Sequence, residues 1–334
     1  MFKVGILGCG AIYNRHLDAI KKNKNFKLMA VCDINKDLSE NYGKIEKVRS
    51  YTKYKEMIKS SNINFVAVCT PNDLHFEQAK FALENKINVL IEKPVAFSHK
   101  KILELEKIAL ENQVNCYCVL QVRLNNAVKV VKEAIDKKLL GEIRSISLVQ
   151  RWQRPYEYFS GWRNIPKIGG GILYEVGIHY IDIMQYIFGV PNIISSSYYK
   201  TKHKNANIED TVYALLDYKT FGGTLESTVS AEPHNLECSL QILGSNGYLK
   251  LGGKAMNVIE SYNFLAKGSE RDFKRILEDY PNENKNPNNY GSYLGSCPNH
   301  EFVYKNLDKF SVGESINSIK IIEEIYKKSD ISYS

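Results

Sequence analysis

The first third of the chain alternates between two patterns of apolar positions. Residues 2–7, 26–32, 64–69, 87–91 and 114–119 are almost continuously apolar, as strands buried on both faces of a parallel sheet require. Between them, residues 11–23, 53–60, 73–84 and 100–112 repeat apolar positions at helical spacing. This alternation predicts an α/β fold with a Rossmann-type doubly wound parallel sheet. Beyond residue 122 the pattern changes. Residues 127–138 form an amphipathic helix ending near Gly141. Strand patterns follow at 144–153, 211–219, 223–231, 237–243, 248–251 and 256–264, with Gly222-Gly223 and Asn246-Gly247 as hairpin turns. They predict a second α+β domain with a large, mostly antiparallel open sheet. A helix over 172–188 follows Gly169-Gly170-Gly171, and residues 270–298 read as a long polar loop. A last helix spans 315–328, with Ile319, Ile322 and Tyr326 on one face. The expected domains are residues 1–122 and 123–314, with a C-terminal helix and tail over 315–334.

The ends of the first-domain strands carry candidate chemistry. Gly8-Cys9-Gly10 follows the first strand, and Ala11 and Ile12 lead into a helix. A strand, a glycine turn and a helix form a dinucleotide site, because backbone approaches the pyrophosphate and helix N–H groups bind its charge. Tyr13 stands where a third glycine would complete the fingerprint, and a glycine turn alone is also an ordinary structural feature. Asp33 ends the second strand near the spacing of a ribose-binding acid. No arginine follows to hold a 2′-phosphate, so NAD is expected over NADP; a plain turn aspartate is the alternative. Thr70-Pro71-Asn72 ends the third apolar run. Asn72 can cap the next helix, and His75 is read as a cap or ribose contact. Glu92-Lys93-Pro94 closes the fourth run, at the carboxyl edge where open α/β sheets place ligands. Gln121 completes the expected cofactor set.

In the second domain Glu175 and His179 are four apart on the predicted helix, hence on one face, and Asp182 lies three further on. A histidine suits proton transfer at neutral pH.

Composition narrows the class. With 44% hydrophobic and 25% charged residues, the chain is globular rather than disordered. Seven cysteines, an odd number without C-x-x-C spacing, read as reduced thiols and neither a disulfide framework nor a metal site. The net charge of +8 is spread thinly, which argues against nucleic acid and would favour an anionic small substrate. A strand pattern beginning at Lys3 and the lack of a long apolar run point to a cytoplasmic protein without a membrane segment. The uncovered face of the second sheet predicts a homo-oligomer, a tetramer.

Gly8-x-Gly10, Asp33, Thr70-Pro71-Asn72, Glu92-Lys93-Pro94 and Gly169-Gly170-Gly171 followed by His179-x-x-Asp182 together resemble the glucose-fructose oxidoreductase / inositol dehydrogenase / MocA family. The resemblance implies a tightly held nicotinamide cofactor, with Lys93 and His179 flanking the reacting sugar carbon. Oxidation of such a secondary alcohol needs a base and a hydride acceptor. His179 as base with Lys93 stabilising the alkoxide, or Lys93 as base, are both open, and Glu175 would orient His179 or bind a sugar hydroxyl. The stretch from Arg151 to Phe159, Trp162-Arg163, Glu209-Asp210-Thr211 and the segment from Pro233 to Gly244 are similar to the UDP-N-acetylhexosamine 3-dehydrogenases within it. That likeness implies oxidation of the C3 hydroxyl of UDP-N-acetylglucosamine, or of its uronic acid, to a 3-keto sugar for surface polysaccharide or lipid A biosynthesis. Its expected substrate residues are Arg123, Tyr158, Trp162, Arg163, Glu175, His179, Tyr290 and His300; for Tyr158, Arg163 and His300 a structural role is equally open. Glu175 departs from the pattern, since the family commonly has Asp there and the glucuronate enzymes an amide. A carboxylate facing the sugar would repel a uronate; pairing with a cation such as Arg123 or Lys93 would remove that repulsion. A dehydrogenase of another cyclic polyol, and a regulator that senses NAD or sugar without chemistry, are the alternatives.

Overall fold

The computed structural model describes residues 1–281 and 300–329. It divides into two units, Met1–Leu120 with Asn299–Ile319 and Gln121–Pro298 with Lys320–Ser334. The first contains β1 (Phe2–Leu7), α1 (Tyr13–Lys21), β2 (Phe26–Cys32), α2 (Lys36–Glu46), β3 (Arg49–Tyr51), α3 (Tyr54–Ser60), β4 (Phe65–Val68), α4 (His75–Glu84), β5 (Asn88–Ile91), α5 (His99–Glu111) and β6 (Cys116–Cys118). All six strands are parallel, in the order β3-β2-β1-β4-β5-β6. That order reverses between β1 and β4, which opens a crevice at the carboxyl ends of those two strands. Val4, Ile6, Val66, Val68, Val89 and Leu90 are fully buried. Each such side chain contributes roughly 1.5–3 kcal/mol on burial.

The second unit contains α6 (Asn126–Asp136), β7 (Ile143–Arg151), α7 (Pro166–Gly169), α8 (Ile178–Phe188), β8 (Asn192–Tyr199), β9 (Thr211–Asp217), β10 (Gly222–Thr228), β11 (Glu237–Gly244), β12 (Gly247–Gly252), β13 (Val258–Phe264) and α9 (Lys267–Asp279). Its seven strands run β13-β12-β11-β7-β10-β9-β8. Only β7 and β10 pair in parallel. α10 (His300–Lys305) and α11 (Ile316–Lys328) complete the described elements. No helix among the described residues is long and apolar enough to cross a membrane.

Several expectations change. Residues 300–314, expected in the second domain, and 315–319, expected in the C-terminal helix, group with the first unit. The reason is long-range: His16 bonds Tyr304, and Cys118 N–H donates to the Phe310 carbonyl. Gly222 and Gly223 lie in β10, and the turn before it runs from Tyr218 to Phe221. Gly223 is needed there because a Cβ would press on Ile146 at 2.7 Å. The polar stretch from 270 begins within α9, whose Phe273 and Ile276 are buried. From residue 282 on, that expected loop, Tyr290 included, lies outside the described residues.

Candidate active site

Gly8 has φ +94°, and a Cβ there would sit 2.6 Å from the Cys69 carbonyl oxygen. Only glycine lets the β1 turn pass so close to the end of β4. At Gly10 a Cβ would meet nothing within 4 Å, so the space over the loop is open. Ala11 and Ile12 lead from this loop into α1, and Ile12 occupies the helix N-cap without a side-chain cap. Asp33 braces the loop: its Oδ2 accepts the Cys9 N–H at 2.7 Å and its Oδ1 the Asn35 N–H at 2.8 Å. These residues fit a dinucleotide, with exposed backbone for a pyrophosphate and a fixed carboxylate for a ribose. Tyr13, at the missing glycine, is fully buried and packs on Tyr42 at 4.1 Å between ring centroids, which keeps its bulk off the loop. The Cys9 thiol is pushed up to about 12, by burial first and then by Asp33 and Cys32. It packs the loop as a protonated thiol, and none of the six cysteines among the described residues forms a disulfide.

At the end of β4 Thr70 Oγ1 donates to Gln78 Oε1 at 2.7 Å. Pro71 precedes a short 3-10 turn that Asn72 opens, and Leu74 rather than Asn72 occupies the N-cap position of α4. His75 is buried, with Nδ1 2.7 Å from the Pro94 carbonyl oxygen and Nε2 2.8 Å from that of Thr70. It bridges the ends of β4 and β5, leaving neither nitrogen for a ribose. Gln121 Oε1 is buried and has no hydrogen-bond partner among the described residues, which leaves an acceptor for a ligand donor.

Glu92 and Lys93 follow β5 directly. Glu92 is buried, and its Oε1 is 3.0 Å from His16 Nε2 and 2.6 Å from His300 Nε2. Burial opposes its charge, but His300 and His16 outweigh burial and hold the carboxyl well below its ordinary range. His300 is thus part of a buried cluster in the first unit, which matches its structural reading rather than the substrate one. These three residues have metal-ligand spacing, yet mutual hydrogen bonds already satisfy their facing atoms. Lys93 is half-buried, and its N–H donates to Glu92 Oε2 at 3.3 Å. His16 escaped the sequence reading, although Tyr13, His16, Leu17 and Ile20 share the buried helical face that marks it.

This cluster implies a pH dependence. Burial, followed by His300, lowers the His16 pKa from its ordinary 6.5, and burial lowers that of His75. The unfolded chain therefore takes up protons first as pH falls below about 6.5, and the folded state loses relative stability. Glu92 stability is present above its ordinary 4.5 and is lost as pH falls through its lower folded value. The unfolding midpoint is expected to fall steadily from about pH 7 to about pH 5. Thermal scans across that range check it; a flat or rising midpoint contradicts it.

In the second unit, Gly170 and Gly171 take φ of +82° and +97° after α7. A five-residue π turn, Leu173–Gly177, then leads into α8. Glu175 lies in this π turn and His179 in the first turn of α8, so the simple α-helical spacing expected between them does not apply. Such insertions often occur at functional sites. His179 is 5% exposed and Asp182 2%. Asp182 takes both edges of Arg123, from Nε at 2.7 Å and Nη2 at 2.8 Å, and the guanidinium lies 4.7 Å over Tyr186. Arg123, expected at substrate, is thereby a buried anchor of α8. Glu175 Oε1 accepts from Tyr158 Oη and Arg163 Nε, each at 2.9 Å. Arg163 stacks over Tyr158 at 4.9 Å and Trp162 at 4.4 Å. Burial opposes the Arg163 charge, but Glu175 and Tyr158 outweigh it and raise its pKa. Arg163 is thus a cation paired with Glu175.

Family models match both parts of the chain. One, described as an oxidoreductase family with an NAD-binding Rossmann fold, covers residues 2–120. The GFO/IDH/MocA C-terminal domain covers 128–250. Glucose-6-phosphate 3-dehydrogenase of Bacillus subtilis is 30% identical over 72% of this chain and 69% of its own length. The chain belongs to the GFO/IDH/MocA oxidoreductase family. It is an NAD-dependent dehydrogenase. Among solved structures it is similar to the WlbA dehydrogenase of Bordetella pertussis, at 24% identity and a TM-score of 0.86 over 98% of this chain and 95% of that one. The Chromobacterium violaceum WlbA structure gives 25% identity and a TM-score of 0.85 over 98% of this chain and 93% of that one. Both were solved with NADH and UDP-GlcNAcA.

Proposed function

We propose that this enzyme oxidises the C3 hydroxyl of a UDP-N-acetylhexosamine, UDP-N-acetylglucosamine or its uronic acid, with NAD as oxidant. The observation that carries the reading is the Tyr158–Glu175–Arg163 group beside Trp162, on the chain segment that enters the His179 helix. It offers aromatic faces and a fixed cation near the proposed base. Support comes from the likeness to the Chromobacterium violaceum enzyme, solved with NADH and UDP-GlcNAcA. Oxidation at C3 agrees with the name of the glucose-6-phosphate relative. The same relative favours a second reading, a 3-dehydrogenase of a phosphorylated sugar.

Bound NAD would supply the hydride acceptor. His179 takes the hydroxyl proton, and Lys93 donates a hydrogen bond to the same oxygen as charge develops. Gly8, Gly10, Ala11, Ile12, Asp33, Thr70, Pro71, Asn72 and Gln121 would hold the cofactor. The product suits a cytoplasmic route to surface polysaccharide, where a 3-keto sugar could be aminated. Exposed Tyr199, Tyr213 and Leu215 on the second unit's sheet favour a homo-oligomer, a tetramer. Light scattering checks it, and a stable monomer at micromolar concentration would refute it.

Arg163 already compensates Glu175, so Glu175→Gln should leave the ratio of kcat/KM for uronate over parent within about threefold. Arg163→Gln removes this compensating charge. Like charges about 4 Å apart cost roughly 1–4 kcal/mol, so that ratio should fall by about tenfold or more. Steady-state kinetics on both sugars decide it; equal ratios in both variants would remove this pair from substrate choice. The overall function is tested by incubating the protein and NAD with UDP-sugars and glucose 6-phosphate, following NADH and product mass. NADH formation with a UDP-N-acetylhexosamine supports the proposal, and turnover of glucose 6-phosphate alone would replace it.

A further inference from the structure

Glu209 is a buried carboxylate that the proposed chemistry does not use. Its Oε1 accepts the backbone N–H of Ile172 at 2.8 Å and the hydroxyl of Tyr326 at 2.5 Å. The same hydroxyl accepts the N–H of Leu173 at 3.2 Å. Ile172 and Leu173 open the helical segment that carries Glu175 and His179. The first N–H groups of a helix have no partner within it. Here Glu209 satisfies one and Tyr326 the next. Gly171 completes the fit: with φ +97°, a Cβ there would overlap the Tyr326 hydroxyl and the Glu209 carboxylate.

Glu209 is itself held from behind. The neighbouring Asp210 accepts the N–H groups of Thr201, Lys202 and His203 at 2.7–3.0 Å, and the hydroxyls of Thr201 and Thr211. This fixes the loop between β8 and β9. Tyr326 is fixed by Tyr174, whose ring stacks on it at 5.8 Å and 16°. Tyr174 belongs to the π turn. The pair therefore grips the turn at its backbone and at a side chain.

We propose that Glu209 and Tyr326 are positioning residues that set the register of the π turn, and through it the placement of Glu175 and His179. The inference rests on the reading that His179 moves the proton. A π turn has an α-helical alternative in which one residue is drawn back into the helix, shifting everything before the junction. Two N–H groups tied to a rigid external acceptor oppose that change. A displacement of about 1 Å at a catalytic group costs about a hundredfold in rate.

The test compares Tyr326→Phe, Glu209→Ala and Glu209→Gln with wild type. Hydrogen exchange is read on peptides spanning residues 171–179, and single-turnover kinetics on UDP-N-acetylglucosamine and its uronate. Tyr326→Phe and Glu209→Ala should speed exchange in that segment by at least about tenfold, in enzyme that still binds NADH. They should lower kcat about tenfold or more with sugar KM within about threefold. Glu209→Gln keeps an oxygen for both donors and should stay close to wild type in both readouts. Unchanged exchange in the Phe and Ala variants would overturn the proposal, with or without turnover. So would kcat that holds while only KM rises. His179→Asn separates the two ideas: a wild-type rate in that variant would remove the reading of the site, whatever the exchange data show. An inactive His179→Asn with normal Tyr326→Phe and Glu209→Ala would remove the anchor alone.

Discussion

Lys93→Met and His179→Asn should each slow the single-turnover reduction of bound NAD by about a hundredfold to ten-thousandfold, the usual contribution of a positioned acid or base. NAD affinity and fold should survive. Lys93 is half-buried at the carboxyl end of β5, outside the apolar core, and methionine keeps its length. Its backbone brace to Glu92 does not depend on the ammonium group. His179 lies in the first turn of α8, where Arg123 and Asp182 independently hold the helix. Single-turnover measurement is needed because slow product release would hide the chemical step. A variant that keeps close to the wild-type rate has lost no catalytic group. Loss in only one variant favours that residue as the base.

Arg123→Met alone should destabilise the fold by about 3–5 kcal/mol, because it leaves Asp182 as a buried charge without its two-pronged partner. Both groups are almost fully enclosed, with side-chain exposures of 7% and 2%. Asp182 also accepts from Gln185 at 3.1 Å, a neutral donor that cannot replace the guanidinium. The double variant Arg123→Met/Asp182→Leu removes both charges and should recover much of the loss. Denaturant unfolding of the two single variants and the double variant completes the cycle. A loss below about 1 kcal/mol in Arg123→Met would place this pair with exposed ion pairs of little value. Activity should fall as well, since Asp182 lies one helical turn beyond His179.

The parallel sheet was legible because strands buried on both faces leave unbroken apolar runs, and the glycine loop and Asp33 sit at their ends. α2 was not legible: only Ser39 and Gly43 on it are buried, so it carries no apolar stripe. Its one clear signal is Asn35, whose side chain accepts the Leu38 N–H at 3.2 Å. β8 is an edge strand with three serines, which breaks the alternation that marks a strand. At the candidate site, residue types and order were readable but partners were not. Glu175 has Arg163 twelve positions earlier, Arg123 has Asp182 fifty-nine later, and His300 meets Glu92 across 208 positions. Such pairings are decided by the tertiary path of the chain. The π turn was hidden for a related reason, since its sequence is compatible with an ordinary helix and the acceptors for the N–H groups of Ile172 and Leu173 come from Glu209 and Tyr326, far along the chain.

The most direct test of a UDP-N-acetylhexosamine 3-dehydrogenase is a single incubation of the purified protein with NAD and UDP-N-acetylglucosamine or its uronic acid. The products are read by NADH absorbance and mass spectrometry. The expected result is NADH formed one for one with a sugar nucleotide lighter by two hydrogens, its carbonyl at C3. NADH formation from other sugars only, with both UDP-sugars returned unchanged, would contradict it.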